Sequence, residues 1–76
     1  MTPKQGQYLA FIYYYTKLNR RAPAEADFQR YFQTTPPAVH QMIMALEKHG
    51  WIEKIPGVAR SIRLNVTRDQ IPDLDG

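Results

Sequence analysis

Thr35-Pro36-Pro37-Ala38-Val39-His40-Gln41-Met42-Ile43-Met44-Ala45-Leu46-Glu47-Lys48-His49-Gly50-Trp51-Ile52-Glu53-Lys54-Ile55 holds both a helix and the change of period that ends it. Val39, Met42, Ile43 and Leu46 stand at i, i+3, i+4 and i+7, the spacing of one apolar helical face. Thr35 is suited to cap that helix on the N–H of Ala38, and Pro36 and Pro37 fall at its first two positions, where N–H groups have no intrahelical partner. The spacing predicts a helix over 36–49, closed by Gly50 in a left-handed cap. Beyond Gly50 the period drops to two, so 51–55 reads as a short strand.

Downstream, Ser61-Ile62-Arg63-Leu64-Asn65-Val66 alternates apolar with polar residues and predicts a second strand, joined to the first by the turn Pro56-Gly57-Val58-Ala59. Residues 67–76 are polar, contain Pro72 and three aspartates and show no period; they read as a flexible acidic tail on a domain of residues 1–66.

Upstream, Thr2-Pro3-Lys4-Gln5 has the form of a capping box with proline at the first helical position. Tyr8, Phe11, Ile12 and Tyr15 share one helical face, a core stripe running to about Leu18. Tyr13 and Tyr14 fall off that face. They read as single exposed aromatics or, alternatively, as part of a homodimer surface, a role the tail could also fill. A shorter helix is expected from Glu25 to Phe32, with Phe28, Tyr31 and Phe32 inward and Glu25 and Asp27 complementing its dipole. Its cap position, Ala24, offers no side-chain oxygen. Trp51 reads as a hydrophobic anchor rather than a base-stacking ring.

At 76 residues the chain has room for one domain with a modest core. It has no cysteine, and its two histidines, His40 and His49, have no carboxylate at ligand spacing between them; neither a disulfide framework nor a metal site is expected. No nucleophile–base pair or glycine-rich phosphate loop is present, so no enzyme, catalytic residue, cofactor or small-molecule ligand is expected. The apolar run Tyr8–Tyr15 is too short for a membrane span and lacks a cleavage site, and a cytoplasmic protein is expected. The net charge of +3 is unevenly spread: the last nine residues carry −2, and the rest +5. Between Lys54 and Arg68 there are four basic residues and no acidic one, which points to a polyanionic partner.

The expected fold is therefore α+β and mostly helical: three helices followed by a two-stranded β-hairpin. Two helices joined by a tight turn, the second with an exposed polar face, form the reading unit of helix-turn-helix proteins. With Val39, Met42, Ile43 and Leu46 inward, the opposite face presents Pro37, His40, Gln41, Met44 and Lys48. Gln41 has the amide geometry to pair with adenine, His40 can donate to a base or a phosphate, and Met44 can touch a thymine methyl.

These residues resemble the DNA-binding domain of the LexA-type repressors, a winged helix-turn-helix. The likeness covers about residues 2–65. It shows in Thr2-Pro3-Lys4-Gln5 with Leu9 and Phe11-Ile12, in Ala22-Pro23, and in Thr35-Pro36-Pro37-Ala38-Val39-His40. It is most specific in Ala45-Leu46-Glu47-Lys48-His49-Gly50-Trp51-Ile52 and Pro56-Gly57-Val58-Ala59-Arg60-Ser61-Ile62-Arg63-Leu64. The resemblance implies that the third helix enters the major groove of double-stranded DNA, with Thr35, Pro37, Ala38, His40 and Gln41 facing bases or adjacent phosphates; Met44 joins them from the helical-face reading. It implies a wing over 56–60 along the backbone. Because Pro36 and Pro37 remove two N–H donors from the helix N-terminus, phosphate contacts are expected from Lys48, Lys54, Arg60, Ser61 and Arg63 instead.

Three features depart from the LexA pattern. The turn before Pro36 is one residue shorter and lacks its glycine, Ala24 replaces the usual Ser or Thr cap, and the base-facing residues differ. The self-cleaving Ser-Lys domain has no counterpart in these 76 residues. The expected function is that of a sequence-specific transcriptional regulator. The alternatives are a winged-helix protein-interaction adaptor and a non-specific DNA binder.

Overall fold

The computed structural model describes residues 1–75. Its first helix, α1 (Pro3–Asn19), starts on the expected capping box: Thr2 Oγ1 accepts from Gln5 N at 3.1 Å, and Gln5 Oε1 accepts from Thr2 N at 2.8 Å. The second, α2 (Glu25–Phe32), has the predicted bounds. Its cap lacks a side-chain oxygen, as expected, and Asp27 compensates by reaching back to accept from Ala24 N at 2.8 Å. The third, α3 (Pro36–Lys48), is capped by Thr35 Oγ1 on Ala38 N at 3.3 Å.

The turn between α2 and α3 depends on Gln33, which adopts φ +50°, a left-handed conformation that glycine takes more readily. At the other end of α3, Gly50 (φ +77°) donates to Glu47 O, and Trp51 N donates to Leu46 O. This pair of bonds is the Schellman closure that a C-terminal glycine favours. It turns the chain straight into β1 (Ile52–Glu53).

β1 pairs antiparallel with β2 (Arg63–Leu64), with Ile52 opposite Leu64 and Glu53 opposite Arg63. The strands are shorter than the expected 51–55 and 61–66. The physical reason is Ser61: its Oγ accepts from Ile55 N at 2.9 Å and lies within bonding range of Ile55 O and Val58 O. The backbone groups that would extend the ladder are thus satisfied by one side chain, and the wing is a hydroxyl-tied turn.

The core joins one face of each helix to the inner face of the hairpin. Leu9, Ile12, Phe28, Val39, Ile43, Leu46 and Ile52 are almost fully buried, each contributing roughly 1.5–3 kcal/mol by removal from water. Tyr8 stacks on Phe28 and Phe32, with ring centroids 5.3 and 4.3 Å away. Trp51 packs against this cluster as the expected anchor and stacks on His49. Tyr31, expected inward, is exposed.

Residues 67–75 depart from the expectation of a flexible tail; Gly76 lies outside the described residues. A single 3-10 turn, Arg68–Gln70, leads Ile71 into a buried site, 4% exposed. Pro72 sits so close to Gly6 that a Cβ there would meet Pro72 Cγ at 2.9 Å. The Gln7 side chain donates to Asp73 O and accepts from Asp75 N, and the Tyr31 hydroxyl donates to Asp75 O. Arg68 covers the rings of Tyr13 and Tyr14 and donates to the Tyr14 hydroxyl at 2.8 Å. Those two tyrosines are consequently half-buried rather than exposed. No helix among the described residues is long and apolar enough to cross a membrane.

Candidate nucleic-acid interface

Because the apolar stripe of α3 faces the core, its other residues are forced outward. Thr35, Pro37, Ala38, His40, Gln41, Met44 and Lys48 are all exposed, forming one continuous face along the helix. Met44 is 54% exposed, a thioether where solvent favours a polar group. The helix N-terminus presents few free donors, since Pro36 and Pro37 have no N–H and Thr35 takes that of Ala38.

The basic residues of the hairpin do not all point where the sequence suggests. Lys54 is partly buried, its Nζ lying 3.7 Å from Glu25 Oε2 on α2. Glu25 Oε1 in turn lies 3.8 Å from His40 Nδ1 on α3. Arg63 is exposed and pairs across the strands with Glu53 at 2.9 Å.

Arg60 and Ser61, expected on phosphates, are both bonded within the protein in this structure. Arg60 adopts φ +56° and turns its guanidinium inward. Its Nη1 donates to Asp27 Oδ2 at 3.1 Å, and to the Tyr15 hydroxyl and Ala22 O at 3.2 Å each. Three acceptors from α1, the following loop and α2 thereby hold the wing and offset the left-handed backbone. Ser61 is occupied inside the wing turn, as described above. What the wing presents instead is apolar: Ile55 is 60% and Val58 53% exposed.

Asp27 is the acceptor around which this corner is built. Its side chain is 5% exposed and also pairs with Arg30. Burial alone would raise the pKa of its carboxyl. The Ala24 N–H and the Arg60 and Arg30 guanidinium groups, with the Tyr15 hydroxyl, outweigh that and hold it below the ordinary carboxylate range. The sequence reading assigned Glu25 and Asp27 only to the α2 dipole. The available signal was the place of Asp27 three residues after Ala24, from which a carboxylate can reach back to the N–H of the cap residue.

No protein-family model matches the chain. It is 37% identical over 71 residues to the LexA repressor of Thermosipho melanesiensis, an overlap covering 93% of this chain and 36% of that protein. It is 38% identical over 64 residues to the LexA repressor of Thermosipho africanus, covering 84% of this chain and 32% of the relative. The LexA repressor of Thermotoga maritima is 33% identical over 73 residues, covering 95% and 37%. The chain belongs to the LexA-type family of winged helix-turn-helix domains.

It spans about a third of the length of the curated relatives it matches. The LexA-type pattern falls on definite parts of the fold. Thr35–His40 opens α3, Ala45–Ile52 makes its glycine closure and β1, and Pro56–Leu64 is the wing with β2. In the turn before α3, which lacks the glycine of the LexA-type pattern, Gln33 takes a left-handed conformation that glycine adopts more readily.

Proposed function

We propose that this LexA-type domain binds double-stranded DNA in a sequence-dependent way and acts as a cytoplasmic transcriptional regulator, α3 entering the major groove and the wing lying along the backbone. The observation that carries the reading is the continuous exposed face of α3, fixed by an opposite stripe of buried Val39, Ile43 and Leu46 with Met42 partly buried beside them. The relatives are named repressors, which supports it. In this docking mode Gln41 pairs with adenine N6 and N7, Met44 meets a thymine methyl, and His40 donates to a base or phosphate. Thr35, Pro37 and Ala38 line the approach at the helix N-terminus. Lys48, Lys54 and Arg63 supply the phosphate contacts, while Arg60 and Ser61 shape the wing.

One such domain makes few phosphate contacts, so useful affinity calls for two half-sites and a homodimer. We assign that contact to the patch of Tyr13, Tyr14 and the tail, where Arg68 joins the two. A winged-helix adaptor is the second reading, favoured by the apolar wing tip of Ile55 and Val58.

Selection from random duplex DNA at physiological salt, repeated with Gln41→Ala, separates these readings. Base readout gives an enriched motif that the substitution relaxes at one position. Binding without a motif that vanishes as salt rises leaves a non-specific binder, and no binding at all leaves the adaptor.

A further inference from the structure

We propose that Glu25 is an internal competitor for the DNA phosphate: its carboxylate pairs with Lys54, between β1 and the wing, and lies beside His40 of α3 until a phosphate takes its place. This rests on the DNA-binding reading above.

Glu25 stands at the start of α2, outside the surface that would touch bases, yet its two oxygens face two of the groups assigned to DNA. Oε1 is 3.8 Å from His40 Nδ1 and Oε2 is 3.7 Å from Lys54 Nζ. One carboxylate thus spans the reading helix and the approach to the wing, which are otherwise separate elements of the interface. Both distances exceed those of a good charge-assisted hydrogen bond, and Glu25 and His40 are substantially exposed. Such pairs are weak and screened, so a backbone phosphate arriving at the same groups can displace the carboxylate.

The consequence is quantitative. With Glu25 present, Lys54 enters the complex already partly neutralised, and the displaced carboxylate stays within a Debye length of the phosphates. With Glu25 removed, Lys54 acts as one full counter-charge. Phosphate contacts set affinity and position without carrying sequence information, so the effect falls equally on any duplex.

The test compares wild type with Glu25→Gln, an isosteric change at a part-exposed position. Binding to the selected duplex and to a scrambled one is measured over a salt series. The expected result is about three- to fivefold tighter binding of both duplexes near 0.1 M salt, and a salt slope steeper by about one half. The enriched motif should not change. Glu47→Gln, on α3 seven residues beyond His40, measures the effect of losing one carboxylate anywhere on the surface and should change affinity less than about twofold. Adding Lys54→Gln to Glu25→Gln should cancel most of the gain, which a purely structural role for Glu25 would not produce. The inference is overturned if Glu25→Gln leaves affinity and slope unchanged, or gains no more than Glu47→Gln. Wild-type protein that binds neither duplex overturns the functional reading itself, and this inference with it.

Discussion

Replacing Asp27 by Asn tests whether the corner between α1, α2 and the wing is held by charge or only by shape. The side chains have nearly the same volume, so the core should not collapse. What changes is the set of acceptors: the carboxylate serves Ala24 N, Arg60 and Arg30 at once. An asparagine oxygen can serve part of that set, and its amide turns a donor toward donors. A buried hydrogen bond to a charged acceptor contributes about 1.5–3 kcal/mol, and leaving its donor unpaired costs a similar amount. Discounting the Arg60 pair, whose guanidinium is a third exposed, a net loss of about 2–3 kcal/mol is expected at neutral pH. For a domain this small that lowers Tm by roughly 10–20 °C.

The pH dependence gives the sharper test. The folded-state pKa of Asp27 lies below its ordinary value, so its contribution is fully present above about pH 4 and is lost as pH falls through the folded pKa. The gap in unfolding free energy between wild type and Asp27→Asn should therefore be constant from pH 7 to about 5 and close progressively below about 4. Urea unfolding at several pH values measures it. A gap that persisted unchanged at pH 2.5 would refute the electrostatic account and leave only a packing defect.

Three further outcomes are expected. Gly6→Ala in a helix interior ordinarily stabilises by about 1 kcal/mol; here the new Cβ would meet Pro72, so the protein should melt lower. Combining it with Pro72→Ala should restore the ordinary gain, as thermal melts of the single and double variants would reveal. Thr35→Ala removes the cap on Ala38 N and should cost about 1 kcal/mol in chemical denaturation. Ser61→Ala unties the wing turn without altering charge. Hydrogen exchange at Ile55 N should accelerate and DNA affinity fall, while the salt slope of binding stays the same.

The helices were legible because each carries its boundary chemistry locally: Thr2 with Gln5, Thr35 with two prolines, Gly50 after Leu46. Side chains within three or four residues settle these ends, and a sequence displays such neighbours directly. The hairpin was legible in position but not in extent. Alternation at 61–66 announces a strand, whereas the capture of Ile55 by the Ser61 hydroxyl depends on how tightly the turn folds. The tail was not legible. Ile71 and Leu74 show no period, and the meaning of Gly6 depends on Pro72, which lies at the far end of the chain. The inward turn of Arg60 was equally hidden, since nothing in Ala59-Arg60-Ser61 signals a left-handed backbone, and its main acceptor, Asp27, is 33 residues away.

The same long-range pairing changes what the basic flank of the sequence means. Lys54, Arg60, Arg63 and Arg68 bound and fill an interval of sequence that holds no acidic residue. In the fold each has a carboxylate from elsewhere: Glu25, Asp27, Glu53 and Asp73 respectively. These pairs are not equivalent. Asp27 is buried, so releasing Arg60 would strand a charge away from water, and that arginine is committed to the wing. Glu25 and Glu53 are solvent-accessible, and exposed pairs of that kind hold their partners by about 0–1 kcal/mol. Lys54 and Arg63 can therefore exchange a carboxylate for a phosphate at little cost, and Lys48, exposed at the end of α3, forms no ion pair among the described residues. It follows that the salt slope of DNA binding should correspond to about three phosphate contacts per domain from these groups, rather than to every basic residue between Lys48 and Arg68. A slope that fell by about one on replacing Arg60, with the wing otherwise intact, would show that the inward pair opens on binding and that exposure in the free protein is a poor guide to which cations DNA recruits.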